Sequence, residues 1–321
     1  MGLSSMKDLP VQNITYTDFK LNGFYSLGEW RPFLFIPFFL MFVLSTSANS
    51  ILIYLIISQK SLHSPMYVLI GFMCLSNLIT PISFVPSMLL SFLFNWSGIS
   101  LSGCVIQMFC IYFTGSFNST LLFWMSVDRY FAICKPLNYH KYMEISNFIK
   151  FVIPPVMRNA LLVIIMVSLA GKLSYCTNII DHSFCEHMPL VQLACGDISL
   201  NNFVGLLNAF VIPVTDFIFI TVSYIVIFTS VFKSGKAHSK AINTCITHFF
   251  VMIVSLICAL IAFLIYRIRN NISSSSRIFV SILYLLGPSC LNPLIYGWRT
   301  NEIRQTFLKL INVKVLPFLE K

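Results

Sequence analysis

The sequence contains seven long apolar stretches, and they constrain its fold more than any other feature. A bilayer core about 30 Å thick is crossed by roughly 20 apolar residues in a helix. In lipid, only helices or closed barrels satisfy every backbone polar group, and barrel strands are alternating runs of about ten residues. We therefore predict an all-α, integral membrane bundle of seven transmembrane helices. The stretches cover residues 33–57, 66–94, 104–134, 151–171, 202–232, 241–266 and 278–298.

The composition agrees with a membrane protein. Hydrophobic residues make up 57% of the chain and charged residues only 10%, whereas ordinary soluble domains are about 25% charged. A water-soluble fold would lack the polar surface to cover itself. We expect an extracellular N-terminal tail at 1–32, the seven-helix bundle at 33–298, and a short cytoplasmic tail with an amphipathic helix at 299–321.

The basic residues are distributed unevenly, and this predicts the orientation. With the N-terminus outside, the cytoplasmic segments carry thirteen basic and four acidic residues, and the outer segments carry seven and six. This excess matches the positive-inside rule. We expect a multi-pass plasma membrane protein with an extracellular N-terminus. The net charge of +10 then reflects topology, and we expect membrane lipids and no nucleic acid as partners.

Glycosylation sequons agree with this orientation. Asn13 and Asn95 each begin an Asn-x-Ser/Thr motif in an outer segment. We predict glycosylation at both, and first at Asn13, because a mobile tail is the easiest acceptor. A further match at Asn118 lies in the middle of a predicted helix, where the glycosylation machinery does not reach.

Four cysteines have an extracellular placement, where an oxidising compartment favours disulfides. Four cysteines permit three pairings, and their spacing does not decide between them. The loop that carries three of them, 174–201, is too long to be a simple connector. A crosslinked loop of this length would cover the bundle. The four are Cys104, Cys176, Cys185 and Cys195.

Five motifs at the expected helix ends resemble those of vertebrate odorant receptors in the rhodopsin-like superfamily. The resemblance spans almost the whole chain and implies a G-protein-coupled receptor, not an enzyme. The motifs are LHSPMY at 62–67, MSVDRYFAIC at 125–134, SY at 223–224, KAINTCITH at 240–248 and PSCLNPLIY at 288–296.

The resemblance also implies details that spacing alone does not give. The disulfides should join Cys104 to Cys185 and Cys176 to Cys195. The in-membrane residues Arg158 and Asp216 resemble the branch called class I, or fish-like.

Two residues depart from the family pattern. Asn77 and Asn118 stand where related receptors usually carry an Asp and a Glu that line a buried sodium or water pocket. Two amides can hydrogen-bond to water without the cost of burying an anion. The sodium site is therefore in doubt, and we expect no metal and no cofactor.

The inner-face motifs contain the residues that we interpret as coupling machinery. The Arg129 guanidinium can hold a local carboxylate in one state and backbone or tyrosine oxygens in another. Two such arrangements are what a conformational switch requires. An interfacial charge cluster that only snorkels is the structural alternative. The predicted coupling residues are Asp128, Arg129, Tyr130, Tyr224, Lys240, His248, Asn292, Pro293 and Tyr296.

One face of the third helix predicts a mostly apolar ligand pocket in the outer half of the bundle. Amine receptors place an Asp where Ile111 stands, which argues against a cationic amine. An apolar cavity with few polar groups suits small organic molecules, although such stripes are usually packing. The predicted pocket residues are Met108, Ile111, Tyr112, Gly115, Ser116, Asn208, Phe263 and Arg267.

Arg267 gives a sharper hypothesis about the ligand. It lies at the outer end of the sixth stretch, where receptors of the resembled branch carry an Arg that can bind a carboxylate. A bidentate guanidinium at a partly dry pocket mouth suits an anion, so we hypothesise an acidic ligand. A snorkelling membrane rim formed with Arg269 is the alternative.

Together these features predict an odorant receptor that binds a small-molecule odorant and activates a stimulatory, olfactory-type heterotrimeric G protein in sensory cilia. A rhodopsin-like receptor for a peptide or lipid is one alternative. A transporter is a weaker one, because transporters tend to show repeated halves or several intramembrane ions in line. An intramembrane enzyme has no supporting motif.

Overall fold

The computed structural model describes residues 15–234, 249, 250, 253, 257, 261, 272–300 and 302–309. Within them, six helices are long and apolar enough to cross a membrane, and they coincide with six of the seven predicted stretches. The remaining stretch, 241–266, lies outside the described residues except at five positions, all helical. The helices are α1 (Phe35–Ser58), α2 (Pro65–Phe94), α3 (Leu101–Cys134), α4 (Tyr139–Met143), α5 (Ile145–Gly171), α6 (His187–Val191), α7 (Ser199–Ser234) and α8 (Ser274–Arg299).

The helix ends follow from local sequence chemistry. Ser100 caps α3 by accepting a hydrogen bond from the Gly103 amide at 3.2 Å, and Ser273 caps α8 through the Ser276 amide at 3.1 Å. Serine at this position satisfies one of the free amides that begin a helix. Asn95 ends α2 in the left-handed conformation, with φ of 54°, which asparagine tolerates better than most residues.

The outward faces of the long helices are apolar, as a lipid environment requires. Ile57 is 72% exposed, Phe203 62% and Leu161 59%. Side chains of this kind on every long helix would form large apolar patches in water. In a bilayer they contact hydrocarbon instead, so the prediction of a helical membrane bundle is confirmed for these six stretches.

Helix α3 is the centre of the bundle and packs against α2, α5 and α7. An ion pair joins two of these helices, with Arg158 Nη2 of α5 3.6 Å from Asp216 Oδ1 of α7. Thr120 of α3 donates to Asp216 at 3.3 Å and accepts from Asn159 Nδ2 at 2.9 Å. The two charges that the sequence places inside spans thus join three helices, and pairing offsets the cost of burying Asp216, whose side chain is 6% exposed.

A three-stranded sheet covers the outer face, and the sequence did not predict it. Strand β1 (Asp18–Leu21) lies between β2 (Gly98–Ser100), with which it is antiparallel, and β3 (Ile179–Ile180), with which it is parallel. Strands of two to four residues leave no readable alternation. Their stability comes from pairing between the tail and two loops, which only the fold brings together.

Arg31 fixes the chain between this sheet and α1. Its guanidinium donates to the Ser91 carbonyl at 2.9 Å, to Asn95 Oδ1 at 2.8 Å and to the Gly23 carbonyl at 3.0 Å. It also lies 5.5 Å from the Phe92 ring centroid. These contacts satisfy a buried cation and hold the tail against the outer end of α2.

Candidate functional site

A cavity of about 290 Å³ lies in the outer half of the bundle, under the loop that follows α5. Five residues predicted for the pocket line it, namely Ile111, Tyr112, Gly115, Ser116 and Asn208. Met108 is not among the described lining residues, because it packs in the buried cluster of Phe19, Tyr175 and the Cys104–Cys185 pair. Phe263 and Arg267 lie outside the described residues.

Disulfides hold the loop that covers the cavity. Cys104 is bonded to Cys185 and Cys176 to Cys195, which is the pairing that the resemblance implied. The Cys185 amide donates to Gln107 Oε1 at 2.7 Å, and Gln107 in turn donates to α2. The residues next to Cys185 are therefore held in a fixed position beside the outer end of α3.

Glu186 follows this anchored cysteine and lines the roof of the cavity. The Tyr112 hydroxyl donates to its carboxyl group. Burial raises the pKa of Glu186 to about 7, although hydrogen bonds from Tyr112 and from the His187 amide oppose the shift. Sequence reasoning singled out Tyr112 but missed Glu186. The available signal was its position directly after a crosslinked cysteine.

His187 forms another part of the roof and is only 3% exposed. Burial lowers its pKa to about 4, so the ring is neutral. It packs on Gly205 of α7, where a Cβ atom would lie 2.8 Å from His187 Cε1. A glycine at this position therefore allows the imidazole to reach the cavity wall. Its Nε2 is buried without a hydrogen-bond partner among the described residues.

The floor of the cavity is lined by amides from three helices, Asn77 of α2, Asn118 of α3 and Asn292 of α8. Asn118 Nδ2 donates to Asn77 Oδ1 at 3.3 Å. Asn292 Nδ2 lies 3.7 Å from the Met73 sulfur. With a rise of about 1.5 Å per residue, the floor at Asn118 is about 9 Å below Tyr112. Polar groups thus stand at both ends of a mostly apolar chamber.

At the inner end of α3, Arg129 forms an ion pair with the buried Asp128, with Nη2 and Oδ2 2.8 Å apart. Tyr139 donates to the other oxygen of Asp128 at 2.8 Å. Burial, and then the Asp128 charge, raises the pKa of Tyr139, so this donor stays protonated. The guanidinium also contacts the sulfur of Met66. The sequence suggested two arrangements for Arg129, and the structure shows the one in which the guanidinium binds a carboxylate.

Of the predicted tyrosines, Tyr224 and Tyr296 are buried and Tyr130 is partly buried. The Tyr224 ring packs edge-on against Phe249, with centroids 5.4 Å apart. The Tyr296 hydroxyl lies 3.9 Å from the Met125 sulfur. Tyr130 packs in the cluster that contains Tyr224. Of the remaining coupling residues, Asn292 and Pro293 lie in α8, whereas Lys240 and His248 are outside the described residues.

Comparison with known proteins agrees with this architecture. A sequence profile described as "Olfactory receptor" matches residues 38–314. The chain is 36% identical to human olfactory receptor 52A5 over 301 residues, which cover 92% of this chain and 95% of the relative. It is 33% identical to human olfactory receptor 52N2 over 297 residues, which cover 91% and 92%. The chain therefore belongs to the olfactory receptor family, whose members are multi-pass G-protein-coupled receptors of the plasma membrane and not enzymes.

Proposed function

We propose that this chain is an odorant receptor that binds a small organic ligand in the central cavity and activates a stimulatory, olfactory-type heterotrimeric G protein. One observation carries the proposal. Helix α3 lines an apolar chamber with Ile111 and Gly115 and ends in the Asp128–Arg129 pair. Such chambers with few polar groups suit small ligands, and one rigid helix connects the chamber to the inner face.

Coupling between the two ends needs an element with two states. In one state Arg129 pairs with Asp128, as described above; in the other its donors bind tyrosine oxygens. Helix α8 is the second connection, because Asn292 lines the cavity floor and Pro293, one residue later within the helix, removes a backbone hydrogen bond. A ligand shifts this equilibrium only by binding one state more tightly than the other.

The proposal also covers the topology, the glycosylation sites, the cellular location and the family branch. The tail at 1–32 is extracellular and carries a glycan at Asn13, and a second glycan is at Asn95, at the outer end of α2. The bundle spans 33–298, and the tail at 299–321 is cytoplasmic. Asn95 accepts a hydrogen bond at Oδ1, and its Nδ2 has no partner among the described residues, so the nitrogen is available to a glycan. We place the receptor in sensory cilia and, from the paired Arg158 and Asp216, in the class I branch.

The direct test is an odorant panel on cells that co-express the chain and a stimulatory G protein, with cyclic-nucleotide production as the readout. Ligand-dependent production is expected. The substitution Arg129→Gln should reduce the G-protein response about tenfold or more while ligand binding persists, since it removes a charge-assisted contact at the inner face.

The matched control is Arg304→Gln, which removes an exposed arginine from the helical residues 302–309 and should leave the response intact. A response that survives Arg129→Gln unchanged would contradict the coupling role. Absence of any response across a broad panel, with receptor present at the surface, would contradict the odorant assignment.

For the ligand class, we propose a carboxylic acid held by Arg267 at the cavity mouth. Arg267→Ala should weaken responses to straight-chain acids about tenfold, because a charge-assisted bidentate pair is lost. The control is Arg269→Ala, which removes a second positive charge two positions further along the sequence. Dose–response curves for acids and for the alcohols of the same length provide the measurement. Unchanged acid responses in Arg267→Ala would reject the acid assignment.

A further inference from the structure

The floor of the cavity does not suit a metal ion. Related receptors carry an Asp and a Glu at the positions of Asn77 and Asn118, around a buried sodium or water pocket. Here both side chains are neutral, and the Asn77 amide nitrogen is a buried donor without a hydrogen-bond partner among the described residues. A donor directed at a cation repels it, and no carboxylate in the Asn77–Asn118 pair supplies the compensating charge.

The donors and acceptors of the two amides determine which chemical group can bind at this site. Each side chain has one amino group that donates and one carbonyl oxygen that accepts. The bond from Asn118 Nδ2 to Asn77 Oδ1 uses one of each. Among the described residues it leaves the donor Asn77 Nδ2 and the acceptor Asn118 Oδ1 without a hydrogen-bond partner, and both atoms are buried. Turning both amides over exchanges the two roles but still leaves one donor and one acceptor.

A single group that satisfies both atoms must accept one hydrogen bond and donate another. A hydroxyl oxygen does this. A metal ion cannot accept from the donor, and a carboxylate cannot donate to the acceptor. Buried polar atoms that are left without a partner keep an uncompensated desolvation cost, so the site favours an occupant of this chemistry.

We infer that the Asn77–Asn118 pair at the cavity floor is a binding site for a neutral hydroxyl group and not for sodium. The hydroxyl is that of a ligand whose chain lies along the apolar wall, or that of a water molecule beneath it. The site is distinct from the roof formed by Glu186 and His187. The inference deepens the proposed function by adding a subsite, and it rests on that function only for the ligand's physiological role.

The first experiment tests the exclusion of sodium. Thermal unfolding of the purified receptor is measured in sodium chloride and in choline chloride at equal ionic strength. We expect the same Tm in both salts for the unaltered chain. In Asn77→Asp, which restores a carboxylate, sodium should raise the Tm. A sodium-dependent rise in the unaltered chain would overturn the inference.

The second experiment tests for the hydroxyl group with two isomeric probes, 1-hexanol and methyl pentyl ether. Both have the same atoms, but only the alcohol donates. The alcohol should stabilise the receptor at about fivefold to tenfold lower concentration than the ether, which corresponds to one hydrogen bond. The double variant Asn77→Leu/Asn118→Leu should abolish the difference. If the double variant does not fold, Asn118→Leu alone removes the acceptor and should reduce the preference.

If the alcohol and the ether shift the Tm equally, the group bound at the amide pair is a water molecule. That water must then appear in an experimental density map as a peak about 3 Å from both amides. Equal shifts without such a peak would overturn the inference. The unfolding assay contains no G protein, so it tests the hydroxyl site independently of signalling. A receptor that shows the alcohol preference but never signals would refute the proposed function and would leave the hydroxyl site supported.

Discussion

Receptor carrying Cys185→Ser is expected to lose about 4–5 kcal/mol of stability and most of its ligand response. The bond to Cys104 closes a loop across 81 positions, and in the chain-entropy model a crosslink of this span stabilises by about that amount. The same bond fixes Glu186 and His187 over the cavity. Thermal unfolding of purified receptor and dose–response curves in cells measure the two effects.

The control is Cys110→Ser, which removes a free, half-buried thiol from α3, the helix that carries Cys104, and should change the Tm little. Cys195→Ser should have an intermediate effect of about 3 kcal/mol, because its bond to Cys176 closes only 19 positions. A ranking in which Cys195→Ser destabilises more than Cys185→Ser would contradict the assignment of Cys104–Cys185 as the principal anchor.

Stability should depend on pH through Glu186. Its pKa is about 7 in the folded chain against an ordinary 4.5, so the folded state holds the proton more tightly than the unfolded state. The contribution of Glu186 is therefore fully present below pH 4.5 and is lost as the pH rises towards 7. The loss is roughly 3 kcal/mol. Thermal unfolding across this range, compared with Glu186→Gln, measures it.

The comparison with Glu186→Gln is needed because two buried histidines change the stability with pH in the opposite direction. Burial lowers the pKa of His182 to about 3 and that of His187 to about 4. Both favour the folded state above pH 6.5 and destabilise it as acid charges them. Their effects cancel in the difference between the two proteins. A difference that stays constant from pH 4.5 to 7 would show that Glu186 does not hold its proton in the roof.

The transmembrane helices were readable from the sequence because lipid imposes one simple rule, a run of apolar residues about 20 long. Helices α2 and α7 therefore begin and end within a few residues of the predicted stretches. The strand β1 was not readable. Its four residues pair with Gly98–Ser100 and Ile179–Ile180, and a contact between such distant segments leaves no mark in a local pattern.

The site was predictable in part, for a similar reason. Helical periodicity placed Ile111, Tyr112 and Gly115 on one face of α3, and that face lines the cavity. Met108 shares the periodicity, but the disulfide loop covers it and turns its surroundings into packed core. Glu186 lies in a loop, where no period applies, and only the crosslink explains why it meets Tyr112.

The central strand of the outer sheet comes from the N-terminal tail, and this has a practical consequence for protein engineering. The Tyr16 amide is already bonded to the Tyr175 carbonyl at 3.1 Å, and Arg31 anchors the far end of the segment. Epitope tags and export leaders are therefore best fused ahead of residue 15. A fusion that replaces or interrupts the segment between these two residues would remove the strand that joins β2 to β3 and would open the cavity beneath the sheet.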